Sequence, residues 1–139
     1  MPNVYSDGGV TNPDSPTWAT GSFGIFWPDR NLNTHGLTGI ECDYTYHHEA
    51  ADGMELWGNM HSPACSSTRA ELMGVIIALS ATGPVHVALD NFSVICKGRK
   101  ILYRIREGLP PPCWAKRKDG DLWQVFWQVV LTGDHTVYD

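Results

Sequence analysis

Three carboxylates stand where this sequence changes from one kind of element to another. Asp7 ends the short run Val4-Tyr5-Ser6, Glu71 falls at the start of an amphipathic stretch, and Asp90 ends the β-branched run Val85-His86-Val87-Ala88-Leu89. Carboxylate oxygens are the ligands that hard cations such as Mg²⁺ prefer. A helix start and two strand ends can share one rim of a sheet, and three negative side chains gathered there would repel one another until cations neutralised them. The chemistry open to such a rim is the binding of hard divalent cations. Each residue also has a simpler reading. Asp7 before Gly8-Gly9 suits a turn, Asp90-Asn91 suits a helix cap, and Thr68-x-x-Glu71 matches a capping box.

The elements that must position them can be read in order. Val4 to Asp7 reads as a strand stopped by Gly8-Gly9, and Val10 to Thr20 as a loop. Gly21 to Trp27 is a second strand, closed by the turn residues Pro28-Asp29-Arg30-Asn31. A third strand is expected from Thr34 to Ile40 or from Met54 to Gly58, with Glu41 to Gly53 between them as an acidic surface loop. His47-His48 lies in that loop near Glu41, Asp43 and Glu49, but no ligand spacing repeats a metal site. Leu72, Val75, Ile76 and Leu79 then make the i, i+3, i+4, i+7 stripe of a helix. Val85 to Leu89 is a buried strand, and a strand, helix, strand order with a tight return implies a parallel pair. Asn91 caps a helix carrying Val94, Ile95, Ile101, Leu102 and Ile105, which ends at Pro110-Pro111-Pro112. Asp119 caps another, with Leu122, Val125, Phe126, Val129 and Val130 on its apolar face and Gly133 behind it. His135 to Tyr138 reads as a further strand.

The 139 residues suit one globular domain spanning positions 1–139. No C-x-x-C pair occurs among the four cysteines, so neither zinc nor a disulfide framework is expected, and a reducing intracellular compartment, cytoplasmic or nuclear, is the simpler inference. No apolar run approaches the roughly 20 residues of a membrane span. The net charge of −5 hides an asymmetry: eight of the ten Lys and Arg lie between Lys97 and Lys118, opposed only by Glu107. That segment carries +7 and leaves −12 for the remainder. A basic arm on an acidic body is the footprint expected for gripping a polyanion at a distance from the acidic centre.

Four pieces in order, Tyr5-Ser6-Asp7-Gly8-Gly9, Ser67-Thr68-Arg69-Ala70-Glu71-Leu72, Val85 to Asp90 and Asp119-Gly120-Asp121-Leu122-Trp123, resemble ribonuclease H type 1 in its retroelement-associated form. The resemblance implies an α/β fold, a mixed five-stranded sheet with helices on both sides. It also implies endonucleolytic hydrolysis of the RNA strand of RNA–DNA hybrids. Asp7, Glu71 and Asp90 match the first three catalytic, metal-binding carboxylates, which would hold two Mg²⁺ ions, with Mn²⁺ as an alternative. Asn12, Ser66, Ser67 and Thr68 would lie over the minor groove and read the 2′-hydroxyl that separates RNA from DNA. Small hydroxyl residues replace the family's commoner amides at two of these places. Lys97, Arg99, Lys100, Trp114, Lys116, Arg117 and Lys118 resemble the basic protrusion that holds the DNA strand's phosphates. Trp123 and Trp127, four apart, are expected to pack rather than stack on nucleotides.

The family also has a histidine-bearing loop after the last strand and a fourth aspartate beyond it, neither identifiable before Asp139. A C-terminally shortened domain, or part of a larger polyprotein, is therefore expected. The alternative to an active nuclease is a ribonuclease H-like module that binds hybrid or RNA with weak or no turnover.

Overall fold

A computed structural model describes residues 2–11, 20–33, 35–61 and 66–133. Strands β1 (Val4–Thr11) and β2 (Thr20–Trp27) are antiparallel, with Tyr5 opposite Phe26 and Asp7 opposite Gly24. A short helix, α1 (Gly39–Tyr44), leads into the hairpin β3 (Tyr46–Ala50) and β4 (Gly53–His61). Then come α2 (Ser67–Leu79), β5 (Val87–Ala88), α3 (Phe92–Arg106), a single 3-10 turn at Trp114–Lys116, and α4 (Gly120–Thr132). The sheet is five-stranded in the order β3-β4-β2-β1-β5 and mixed, since β5 alone runs parallel to its neighbour, β1.

Alternation along the strands decides which face is covered. Val4, Phe23, Ile25, Trp27, Met54 and Leu56 point to one side and are buried under α2, whose residues Leu72, Ile76, Ile77 and Leu79 are at most 2% exposed. Burying each such side chain contributes about 1.5–3 kcal/mol, which makes α2 the centre of the fold. Because α2 is enclosed by the sheet below and by α3 and α4 beside it, nearly every residue from Ala70 onward is buried. On the opposite face Tyr5 and Trp57 remain more than 40% exposed.

Four expectations are revised. Strand β1 does not stop at the glycines: Gly8 and Gly9 pair with Phe23 and Ser22 and the ladder runs to Thr11. Glycine is needed at position 8 because a Cβ there would stand 2.8 Å from the Glu71 amide nitrogen and 3.0 Å from the Ala70 carbonyl carbon. No strand forms within Gly36–Ile40. Thr38 instead caps α1 through a complete capping box with Glu41. The acidic loop from Glu41 to Gly53 is in fact α1 and the edge strand β3, whose His47 and His48 are exposed. Glu41 is fully buried, and both of its oxygens accept from Arg30 at 2.7 Å, while the Arg30 guanidinium also lies 5.2 Å from the Trp27 ring centroid. Finally, Val125 is 42% exposed and lies off the buried stripe of α4. The expected strand at His135–Tyr138 lies outside the described residues.

Candidate metal and nucleic-acid site

The register of β1 against β2 and β5 sets Asp7 on the sheet three residues past the start of the parallel contact, while Asp90 lies two residues beyond the end of β5. Helix α2 crosses β1 at Gly8, which brings Glu71 down onto the strand beside Asp7. One carboxylate oxygen from each of Asp7, Glu71 and Asp90 lies within 4.8 Å of the others. Asp7 and Asp90 are exposed and Glu71 is buried, so the cluster is a floor with two accessible walls. Oxygen donors at this separation could hold a hard divalent cation, for which carboxylates are preferred ligands.

Electrostatics agree with the geometry. Burial is the largest influence on the Glu71 carboxyl and raises its pKa above the ordinary value; the Asn91 amide pulls it down, and the Asp90 and Asp7 charges push it up again. A cation between the three would reverse the repulsion.

The simpler readings of these residues fare differently. The N-cap of α2 is Ser66, whose Oγ accepts from the Arg69 amide at 3.1 Å, so the box Thr68-x-x-Glu71 does not form and Glu71 sits past the first turn. Asp90 does not cap α3. Asn91 does, its Oδ1 accepting from the Val94 amide at 3.1 Å. Asp7 keeps a local bond, accepting from the Gly8 amide at 2.9 Å, but within a continuous strand rather than a turn.

Ser66, Ser67 and Thr68 are together at the N-terminus of α2, one turn from Glu71, with Ser66 engaged as the cap. Asn12 lies outside the described residues. Lys97, Arg99 and Lys100 are on α3, and Lys116, Arg117 and Lys118 follow in the connector to α4. The two basic stretches meet: Arg99, Lys100, Tyr103, Arg104 and Arg117 line one open groove. Trp114 packs edge-on against Trp127, with ring centroids 5.8 Å apart, and Trp123 is 2% exposed and edge-on to Phe126.

Two residues were missed by reading the sequence as a string. Asn91 was legible as a cap, yet its Nδ2 also donates to Glu71 Oε2 at 2.5 Å and to Thr68 Oγ1 at 3.4 Å. Arg69 donates to both oxygens of Asp121, at 2.9 and 2.6 Å, and to Asp119 at 3.2 Å. It ties the first turn of α2 to the first turn of α4 across about fifty residues of chain. Asp119 was expected as the side-chain cap of α4; it takes a left-handed backbone (φ 56°) and turns its carboxylate to Arg69 instead. Behind it Gly120 is obligatory, since a Cβ there would collide with the Trp114 carbonyl oxygen. A separate apolar cavity of about 230 Å³ between β5, α2 and α3, lined by Val75, Leu79, Val87, Val94, Leu102 and Phe126, contains none of the carboxylates.

No family model matches the sequence, and no curated protein does. Solved structures do match. A foamy viral protease-reverse transcriptase in complex with dsDNA shares 12% identity over 98% of this chain and 79% of its own, with a TM-score of 0.50. A type 1 ribonuclease H with the type 2 active-site motif shares 16% identity over 96% of this chain and 59% of its own, with a TM-score of 0.51. At these identities the likeness is one of fold. The helix-backed mixed sheet matches theirs, and the fold is α/β and ribonuclease H-like.

Proposed function

We propose that the domain is a divalent-cation-dependent endonuclease that hydrolyses the RNA strand of RNA–DNA hybrids. The observation that carries this reading is the convergence of Asp7, Glu71 and Asp90 to within 4.8 Å on a ribonuclease H-like sheet. Asp7, Glu71 and Asp90 would hold two Mg²⁺ ions, or Mn²⁺. Bound there, the ions would supply an activated water and neutralise charge developing on the phosphate and the leaving 3′ oxygen.

The chain's own residues do the rest. Exposed Asp7 and Asp90 leave the cluster open to a backbone phosphate, while buried Glu71 fixes the floor. Ser67 and Thr68 stand at the start of α2, and their hydroxyls would meet a ribose 2′-hydroxyl in the minor groove. The groove of Arg99, Lys100, Arg104 and Arg117 offers positive charge to phosphates of the partner strand, a sequence-independent and salt-sensitive contact.

Incubation of end-labelled RNA–DNA hybrid, double-stranded RNA and double-stranded DNA with the protein in Mg²⁺ tests the substrate assignment. Cleavage confined to the RNA of the hybrid is expected. Equal cleavage of all three would remove hybrid specificity, and salt-sensitive binding without cleavage would favour the binding module over the nuclease.

A further inference from the structure

Asn91 has one side-chain amide and three partners. Its Oδ1 accepts from the Val94 amide in the first turn of α3, and its Nδ2 donates to Glu71 Oε2 and Thr68 Oγ1 on α2. The orientation is fixed chemically: a backbone N–H can only donate, so the atom facing Val94 is oxygen and the atom facing Glu71 is nitrogen. The residue is half-buried and bridges α2 and α3.

We infer that Asn91 is a positioning residue for divalent-cation binding. It holds one Glu71 oxygen on its amide and so presents the other to the cation at a fixed angle. This inference rests on the nuclease reading of the cluster and adds to it a residue that touches neither cation nor substrate. Carboxylates that ligate metals are themselves hydrogen-bonded, and those outer partners set ligand orientation. The same amide reaches Thr68, so the first turn of α2 and the Glu71 side chain are held by one group, anchored in turn by the N-terminus of the basic helix α3. Without it, Glu71 would be freer to rotate about its side-chain torsions, and a cation would have to order it on binding.

Two variants separate this role from capping. Asn91→Ser keeps an N-cap acceptor of comparable strength but is too short to reach Glu71; Asn91→Ala loses both functions. Mg²⁺ binding is measured by isothermal titration and by the Mg²⁺-induced rise in melting temperature, alongside the melting temperature in EDTA. Wild type is expected to bind Mg²⁺. Both variants should bind it about tenfold or more weakly. In EDTA only Asn91→Ala should melt appreciably lower. Should Asn91→Ala fail to fold, Asn91→Ser alone decides the matter. Mg²⁺ binding by Asn91→Ser equal to wild type would overturn the positioning role and leave the nuclease reading standing; no Mg²⁺ binding by wild type would overturn both.

Discussion

Gly8 and Glu71 are in contact through the backbone of one and the backbone and side chain of the other: a Cβ on Gly8 would stand 2.8 Å from the Glu71 nitrogen and 2.9 Å from its Cγ. Strand β1 and helix α2 therefore meet at the point where the site is built. Gly8→Ala should push α2 away from β1 at a cost of about 1–3 kcal/mol, the usual range for overpacking. Urea denaturation should show a lower midpoint with an unchanged slope, and Mg²⁺ should stabilise the variant less than wild type. Gly9→Ala, where an added Cβ meets nothing within 4 Å, is the control.

Glu71 makes stability depend on pH in a defined direction. Its folded pKa is raised, chiefly by burial, above the ordinary 4.5, so the folded protein holds this proton more tightly than the unfolded chain does. The resulting stabilisation is fully present below the unfolded value and is lost as pH rises through the raised one. In EDTA, the melting temperature of wild type should fall relative to Glu71→Gln as pH increases from about 4.5 toward neutrality. Mg²⁺ should restore more stability at pH 7.5 than at 4.5, because it binds the ionised form. Parallel pH profiles for wild type and Glu71→Gln would contradict this.

Arg69 braces the site from the other side, through its paired bonds to Asp121 and its bond to Asp119. Asp121 accepts two of these bonds and is solvent-exposed, whereas Asp119 accepts one and is largely buried. Arg69→Met should lower stability by about 2 kcal/mol, the scale of hydrogen bonds to a charged group. Arg69→Lys should recover only part, since an ammonium cannot reproduce the two-pronged contact. The chief Asp121 partner is Arg69, which depresses its carboxyl pKa, so the deficit of Arg69→Met should shrink as pH falls through that lowered value. Chemical denaturation at several pH values checks both statements.

The groove of Arg99, Lys100, Arg104 and Arg117 should behave as a phosphate grip. Lys100→Gln and Arg117→Gln should each weaken hybrid binding similarly for unrelated sequences and lower the slope of log affinity against log salt by about 1. An unchanged slope in both would place the phosphates elsewhere.

How much of this was legible depended on whether the signal was local. The stripe of Leu72, Val75, Ile76 and Leu79 sits on a single helix and needs no partner to be read, and the same holds for the Asn91 cap of α3. Asp7, Glu71 and Asp90 were legible by motif order, and the parallel pairing of β1 with β5 brings their ends to one edge. The segment from Gly36 to Ala50 was misread because the Thr38–Glu41 capping box gives a helix where β-branched and polar residues suggest strand and loop. Glu41 looked like surface charge because its partner, Arg30, lies in the preceding turn and their bidentate contact exists only after folding. Gly8-Gly9 read as a strand stop because nothing in the local sequence reveals that α2 will cross there. The Glu71–Asn91 and Arg69–Asp121 contacts join residues 20 and 52 apart, beyond the reach of any periodicity.

The most direct test of the site is the rate of hybrid cleavage in Mg²⁺ by wild type beside Asp7→Asn and Asp90→Asn, with folding of all three verified by circular dichroism. Cleavage of the RNA strand by wild type, reduced to background in both variants and abolished by EDTA, is the expected result. A folded wild type that leaves the hybrid intact, or variants that cut as fast as wild type, would contradict the assignment of Asp7, Glu71 and Asp90 as the metal-holding centre.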